Sequence, residues 1–306
     1  MNISTSLHDH DPEFWTQDPI YFPLSYRITG TILLGFIFIL GIIGNLLVVY
    51  VVARSRSMWS PTNCYLVSLA IADCIVLVAS VPQEIVSFYL PGSEWIWGDV
   101  GCVLSVFLQN LGINASSLCV AAFTVERYIA ICKPFLAQAM CTLRRALKIV
   151  FCVWIFAVLY STPWLFLATT FPIFYRGYPP LKMCDHKLSR EQYLGYYFTD
   201  LILFYLIPLL LCILLYSKIA HCIINQPFTG SPIVISTGNG HTTEFQGNTR
   251  TSSRTQVVKM LAIVSALFAV LWLPYRGLLV YNSVAEEKFM NVWYLLASKG
   301  CIYLNR

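Results

Sequence analysis

Charged residues are scarce in this chain, since Asp, Glu, Lys and Arg together make up 11% of the residues and hydrophobic residues make up 57%. With a mean hydropathy of +0.66, the composition lies well outside that of soluble globular proteins. The sequence contains no phosphate-binding glycine loop, no HExxH pattern and no GxSxG pattern. The composition indicates a membrane protein. The absence of these motifs argues against a catalytic or metal site, so we expect that the protein is not an enzyme.

Seven charge-poor runs follow one another along the chain. Each of the first six is long enough to cross a bilayer core of about 30 Å, which takes roughly 20 helical residues. The seventh run is shorter and carries Lys299. The sequence therefore predicts an all-α membrane protein, a seven-transmembrane helix bundle over residues 27–304 whose seventh helix is truncated. The runs are residues 28–53, 57–83, 103–125, 149–175, 192–217, 260–285 and 289–304.

Lysine and arginine sort to alternate connections between the runs, and acidic residues to the others. By the positive-inside rule the basic connections are cytoplasmic, and residues 1–26 form an extracellular tail with a glycosylation acceptor at Asn2. The net charge of +5 reflects this topology and gives no reason to expect nucleic acid binding. Residues 221–254 are rich in Gly, Ser, Thr, Asn and Pro, which predicts a disordered third cytoplasmic loop.

Two of the 11 cysteines lie on the predicted outer side of the membrane. Cys102 opens the third run and Cys184 lies in the longest outer connection, where an oxidising compartment allows them to pair. Such a bond would hold the loop over the mouth of the bundle as a lid of limited mobility.

The triplet Glu126-Arg127-Tyr128 closes the third run at the predicted cytoplasmic boundary. Arg127 can pair with Glu126 in one state and face a cytoplasmic partner in another, which would turn an ionic contact into a switch. The alternative is an arginine that extends to the interface beside an interfacial tyrosine, and the triplet alone does not decide between them.

Several polar residues occur inside the runs. Asp73 lies near the middle of the second run, where a carboxylate must face other helices, water or a cation, and Asn45 and Ser116 are candidate partners. A neutral acid with a structural role is the alternative. Prolines interrupt four runs and predict kinks or cavities there, at Pro82, Pro163, Pro208 and Pro274.

A second polar set lies in the outer half of the bundle. At 1.5 Å per residue, Asn110, Asn114, Arg276 and Lys299 lie ~12 to ~18 Å from the outer ends of their helices, so with the phenol of Tyr275 they could line one cavity. Donors dominate this set, which favours a guest with several carbonyl oxygens over a small amine. The aromatic pair Trp272 and Tyr275 could equally be ordinary core.

Together these motifs resemble the rhodopsin-like G-protein-coupled receptors, over nearly the whole chain. Four longer segments, residues 61–70, 111–117, 126–132 and 301–305, resemble the thyrotropin-releasing hormone receptors of that family. The landmarks are Gly44-Asn45, residues 69–73, Cys102, Glu126-Arg127-Tyr128, Trp154, Cys184, Pro208 with Tyr216, and Trp272-Leu273-Pro274.

The resemblance implies a multi-pass receptor among the lipids of the plasma membrane, with an extracellular N-terminus. It implies an amidated tripeptide hormone, pyroglutamyl-histidyl-prolinamide, as ligand, held by residues that include Asn114, Tyr275, Arg276 and Lys299. It also implies signalling through a Gq-type G protein, phospholipase C and calcium, with Arg127 released as the sixth helix swings at Pro274. No cofactor is implied except an allosteric sodium ion held by Asp73, Ser116 and Asn305.

The sequence departs from the family at three places. Asn110 replaces a tyrosine that contacts the pyroglutamyl ring in mammalian members, and Lys299 replaces an arginine, which removes a bidentate fork. Residues 305–306 end the chain before the Asn-Pro-x-x-Tyr segment, the eighth helix and the cytoplasmic tail, so we expect no arrestin recruitment and impaired G-protein coupling. Two alternatives therefore stay open: another short amidated neuropeptide as ligand, or a truncated receptor that binds but signals poorly.

Overall fold

The computed structural model describes residues 18–19, 21–225, 263, 266–267, 269–282, 285, 289 and 291–306. Nearly all of this part is helical, with one hairpin of strands β1 (Ala168–Ile173) and β2 (Leu181–His186). One turn of π-helix, Ile202–Leu206, joins α7 to α8. The helices are α1 (Leu24–Arg54), α2 (Pro61–Ser87), α3 (Gly98–Cys132), α4 (Pro134–Met140), α5 (Leu143–Ser161), α6 (Trp164–Leu167), α7 (Arg190–Leu201), α8 (Ile207–Asn225), α9 (residues 269–282) and α10 (Val292–Leu304).

Five helical stretches of the described chain are long and apolar enough to cross a membrane. They correspond to the first five charge-poor runs, while α9 lies in the sixth run and the shorter apolar helix α10 lies in the seventh. The predicted helix bundle with a short seventh helix is confirmed. The five stretches are Leu24–Arg54, Pro61–Ser87, Gly98–Cys132, Leu143–Leu167 and Gln192–Ile223.

The fourth run does not stay helical to residue 175, as its hydropathy predicts. The α5 helix ends at Ser161, one short turn of helix follows Pro163, and the chain then enters β1. This strand pairs antiparallel with β2, with Thr170 opposite Cys184. A charge-free sequence fits a strand at the mouth of the bundle as well as a buried helix, so run length alone placed this boundary too late.

Two predicted segment boundaries also shift. The α1 helix begins at Leu24, inside the predicted tail of residues 1–26, and Asn2 lies outside the described residues. The α8 helix continues to Asn225, so residues 221–225 of the predicted disordered loop are helical. The rest of that loop, residues 226–254, lies outside the described residues.

Polar caps set the starts of several helices, because the first turn of a helix leaves its N–H groups without partners. Ser60 directly precedes α2, and its side chain accepts a hydrogen bond from the N–H of Asn63. The side chain of Asn291 likewise accepts from N–H groups in the first turn of α10. Ser189 and Gln192 form a reciprocal capping box at the start of α7.

The centre of the bundle is α3, which packs against α2, α5 and α8. The Ser68 hydroxyl on α2 lies 3.1 Å from Cys119 Sγ on α3 and accepts from Trp154 Nε1 on α5 at 2.9 Å. These bonds tie three helices together through one buried hydroxyl. In contrast, α1 leaves large apolar side chains such as Ile32 and Phe36 exposed, which is typical of a surface that faces lipid.

Pro208 explains a contact between α3 and the π-helical turn. Proline has no N–H, so it cannot donate to the carbonyl of Phe204, four residues earlier. Ser117 Oγ of α3 donates to that carbonyl instead. The break in the fifth span therefore becomes a link between two helices.

Gly112 lies at a close approach of α2 and α3. A Cβ added there would lie 2.6 Å from Val76 Cγ2 and 2.8 Å from the main-chain oxygen of Ala72. Neither separation is tolerated without a backbone shift, so the absence of a side chain sets the distance between these helices.

We therefore expect Gly112→Ala to destabilise the bundle by about 1–3 kcal/mol through overpacking. The measurement is the melting temperature of the detergent-solubilised protein. Gly35→Ala on α1 is the matched control, because an added Cβ meets no atom within 4 Å there. Equal melting temperatures for the two variants would contradict the close approach.

Candidate functional site

The end of the bundle that the sequence predicts to face outward, hereafter the outer end, is covered by the β1–β2 hairpin. Cys184 of β2 is bonded to Cys102 near the start of α3, with a Cα–Cα distance of 5.6 Å. The N–H of Trp95 donates to the Lys182 main-chain oxygen at 2.7 Å, and Lys182 Nζ lies 3.0 Å from Asp99 Oδ1. The hairpin is therefore held at three points above the helices that carry the predicted ligand residues.

Arg276 of α9 forms a buried ion pair with Asp200 of α7. Its NH1 donates to Asp200 Oδ2 at 3.0 Å, and the side chains are only 7% and 12% exposed. Its guanidinium also lies 5.2 Å from the ring centroid of Trp272 and 5.9 Å from that of Tyr197. The pair joins the fifth and sixth spans where neither charge can be solvated.

Lys299 of α10 forms a second ion pair, with Glu84 near the end of α2. Lys299 Nζ lies 2.6 Å from Glu84 Oε1, and the two side chains are 24% and 21% exposed. Glu84 was absent from the predicted site, because its position at the end of a run placed it among the outer acids. The helical spacing could have identified Glu84, because it lies one turn after Ser80, which is buried, and so on the same face of α2.

The two asparagines of α3 have different environments. Asn114 is 1% exposed, and its Nδ2 donates to Ser161 Oγ of α5 at 3.3 Å. Asn110 is half-buried, and its Nδ2 donates to the Val106 carbonyl of its own helix at 2.8 Å. In the described part of the chain, neither amide is hydrogen-bonded to the two cations.

Tyr275 precedes Arg276 on α9 and lies near Lys299 of the second ion pair. It is half-buried, packs against the core, and lies within electrostatic range of both Lys299 and Tyr193. The structure thus brings Tyr275, Arg276 and Lys299 into one charged and aromatic cluster. Asn114 and Asn110 lie on the neighbouring α3.

Charge compensation changes what this region can bind. Each cation already has a carboxylate, so the region around them carries little net charge. Among the described residues, the buried polar atoms of this region without a hydrogen-bond partner include Tyr160 OH, which can donate or accept, and also Asn114 Oδ1, Asp200 Oδ1 and Arg276 Nε. Of the last three, two are acceptors and one is a donor, so the arrangement suits a neutral guest with both N–H and C=O groups.

Two grooves of about 390 and 450 Å³ lie elsewhere, on the outward surface of α5 and α6. Apolar side chains such as Ile149, Phe156 and Phe166 line them, and none of the predicted ligand residues does. These grooves lie along a surface suited to lipid contact.

At the end of the bundle that the sequence predicts to be cytoplasmic, Arg127 contacts α2. Its NH2 donates to the hydroxyl of Thr62, and its guanidinium lies 5.5 Å from the Phe123 ring centroid. Among the ion pairs of the described residues, none joins Arg127 to Glu126, which is buried beside Cys141. The arginine is therefore held against a neighbouring helix through a neutral hydroxyl, beside the half-buried Tyr128.

The residues expected to hold sodium do not fit a bound cation in this arrangement. Asp73 Oδ1 accepts from Ser116 Oγ at 3.2 Å, but it also accepts from Arg306 NH1 at 2.9 Å. Asn305 caps the end of α10, and within the described chain it has no hydrogen bond to Asp73. A positive charge already occupies the face of the carboxylate that a metal ion would need.

Residues 44–305 match the family described as "7 transmembrane receptor (rhodopsin family)". The chain belongs to this family. The thyrotropin-releasing hormone receptor of Gallus gallus is 43% identical over 293 residues, covering 92% of this chain and 73% of the relative. The receptor of the same name from Homo sapiens is 43% identical over 295 residues, with the same coverage. The QRFP-like peptide receptor of Branchiostoma floridae is 33% identical over 259 residues, covering 82% of this chain and 65% of the relative.

Membership confirms the resemblance drawn from the motifs. A rhodopsin-family receptor is a multi-pass protein of the plasma membrane, and the predicted seven-transmembrane fold is confirmed. The matched family and its curated members are receptors, so the chain is not an enzyme. The roles of individual site residues stay predictions.

The buried ion pair Arg276–Asp200 makes a testable contribution to stability. We expect Arg276→Met to destabilise the protein by about 3–5 kcal/mol, because it leaves Asp200 buried and unpaired. Adding Asp200→Leu should recover most of the loss, since no lone charge remains. The exposed pair Lys182–Asp99 is the control, and Lys182→Met should cost no more than about 1 kcal/mol. Thermal unfolding in detergent measures the wild type and these three variants, and a double variant no more stable than Arg276→Met would contradict the pairing.

Proposed function

We propose that this rhodopsin-family receptor binds thyrotropin-releasing hormone, pyroglutamyl-histidyl-prolinamide, and signals through a Gq-type G protein, phospholipase C and calcium. The relatives that bear this hormone's name are 43% identical over 92% of the chain. We further propose that the N-terminus is extracellular and that Asn2 carries a glycan. An N-terminal epitope that antibodies cannot reach on intact cells would exclude this orientation.

The observation that carries the proposal is charge compensation in the outer half of the bundle. Arg276 and Lys299 are each held by one carboxylate, at 3.0 Å and 2.6 Å. A charged ligand would add an uncompensated charge to a region that is largely buried. A peptide with a cyclised N-terminus and an amidated C-terminus carries no terminal charge, and its amides supply both donors and acceptors.

The unpaired polar atoms favour the same class of ligand. Arg276 Nε can donate to a ligand carbonyl, while Asn114 Oδ1 and Asp200 Oδ1 can accept from ligand N–H groups. A buried polar atom without a hydrogen bond is costly. A ligand that bonds to these atoms therefore gains more binding free energy than a ligand that leaves them unpaired. Tyr275, next to Arg276 and near Lys299, adds an aromatic surface.

The first test is saturable binding of the radiolabelled tripeptide amide to membranes from cells that express the chain. We expect the free-acid form to compete at least tenfold more weakly, because its carboxylate adds a charge to a compensated site. Absence of saturable binding would defeat the proposed ligand. Stronger displacement by another short amidated peptide would favour that peptide as the ligand.

A calcium measurement in the same cells separates binding from signalling. The proposed coupling predicts calcium release that an inhibitor of phospholipase C abolishes. Binding without calcium release would exclude the signalling proposal while it leaves the ligand intact. That outcome would favour the second alternative, a receptor that binds but signals poorly.

The two departures from the related receptors give a sharper test of the ligand. Lys299→Arg keeps the charge that pairs with Glu84 and adds a second N–H donor in a planar fork. Asn110→Tyr restores the aromatic ring of the related receptors, and Asn110 loses only a bond to its own helix. We expect the double variant to bind the tripeptide amide at least about tenfold more tightly, equivalent to about 1.4 kcal/mol.

Lys182→Arg on the exposed hairpin controls for a general effect of arginine, since its partner Asp99 is solvent-accessible. Weaker tripeptide binding by the double variant would show that positions 110 and 299 are tuned to a different ligand.

A further inference from the structure

The carboxylate of Asp73 lies where four helices meet. Asp73 is 5% exposed on α2, Ser116 of α3 donates to it, and Asn45 of α1 and Trp272 of α9 lie around the same point. A buried carboxylate in a membrane-spanning bundle requires a positive partner or a proton. The structure shows which partner it has.

Arg306, two residues beyond the end of α10, supplies that partner. Its side chain is fully buried, and its NH1 lies 2.9 Å from Asp73 Oδ1. The guanidinium lies 5.0 Å from the ring centroid of Trp272, within the range of a cation–π contact. The main-chain oxygen of Arg306 accepts from Asn45 Nδ2 at 2.6 Å, so its backbone is fixed as well as its side chain.

These contacts leave little for a second cation to bind. The negative charge of Asp73 is neutralised at 2.9 Å, and the guanidinium would repel a metal ion placed beside the same carboxylate. Asn305, the third residue that the family resemblance assigned to sodium, caps α10 through its backbone. The oxygen ligands that the resemblance implied are therefore not arranged around an open position.

We propose that Arg306 is the resident cation of the Asp73 site and takes the place of the sodium ion. The inner site of this receptor is then held by an internal ion pair, and its stability does not respond to sodium. The cation beside Asp73 is then always the Arg306 side chain, whatever the sodium concentration outside the cell. The proposal does not depend on the identity of the hormone.

The test is the melting temperature of the ligand-free, detergent-solubilised protein in sodium chloride and in choline chloride at equal concentration. We expect the same value in both salts for the wild-type chain. We expect Arg306→Ser to be less stable in choline and to gain several degrees in sodium, with a saturable dependence on sodium concentration, because the carboxylate can then bind the ion.

Three control proteins make the result specific. Arg306→Lys keeps a cation and should stay insensitive to sodium, and Arg56→Ser removes an exposed arginine and should behave as the wild type does. Adding Asp73→Asn to Arg306→Ser should abolish the sodium response. Sodium-specific stabilisation of the wild-type chain, or of Arg306→Lys, would overturn the proposal even if Arg306→Ser does not fold. A folded Arg306→Ser that ignores sodium would also overturn it.

Discussion

Pairing of charge in a low-dielectric interior is the constraint on which the rest of this bundle depends. Three cations enter the membrane-spanning region, and each has one carboxylate within 3.0 Å: Arg276 with Asp200, Lys299 with Glu84 and Arg306 with Asp73. A lone charge at any of these points would carry a large desolvation penalty. The first pair joins α7 to α9, and the other two join α2 to α10 and to the residues that follow it. The hydrophobic surfaces fill the space around that arrangement but do not by themselves select it.

Compensation also determines how the outer region should be understood as a binding site. Two isolated cations would favour an anionic ligand, whereas two ion pairs favour a ligand that is polar and neutral. The unpaired oxygens of Asn114 and Asp200 and the unpaired Nε of Arg276 call for a ligand with both kinds of hydrogen-bonding group. A small peptide with blocked ends has that character. The receptor proposal therefore rests on the chemistry of a few side chains as well as on family membership.

Much of this structure could be predicted from the sequence, because a bilayer imposes simple rules. Run length located the helices, the side of the membrane singled out Cys102 and Cys184, and buried polarity singled out Asp73 and Arg276. The predictions failed where a partner had to be known. Glu84 looked like an acid of an outer loop, and it is the partner of Lys299. Arg306 lay beyond the last run, so nothing in the sequence indicated that its side chain turns back to Asp73. The strand after Leu167 was missed because an apolar strand and an apolar helix share one hydropathy.

The indole of Trp272 is flanked by two guanidinium groups, that of Arg276 at 5.2 Å and that of Arg306 at 5.0 Å. One ring thus forms a common wall between the outer and inner charged sites. A ligand that displaced the ring would change the environment of both arginines and so couple the two sites. By thermodynamic reciprocity, an inner ion pair that changes the affinity of an outer ligand is itself stabilised or destabilised by that ligand to the same extent. Because the inner cation in this chain is a side chain, its effect on the outer site does not vary with ion concentration.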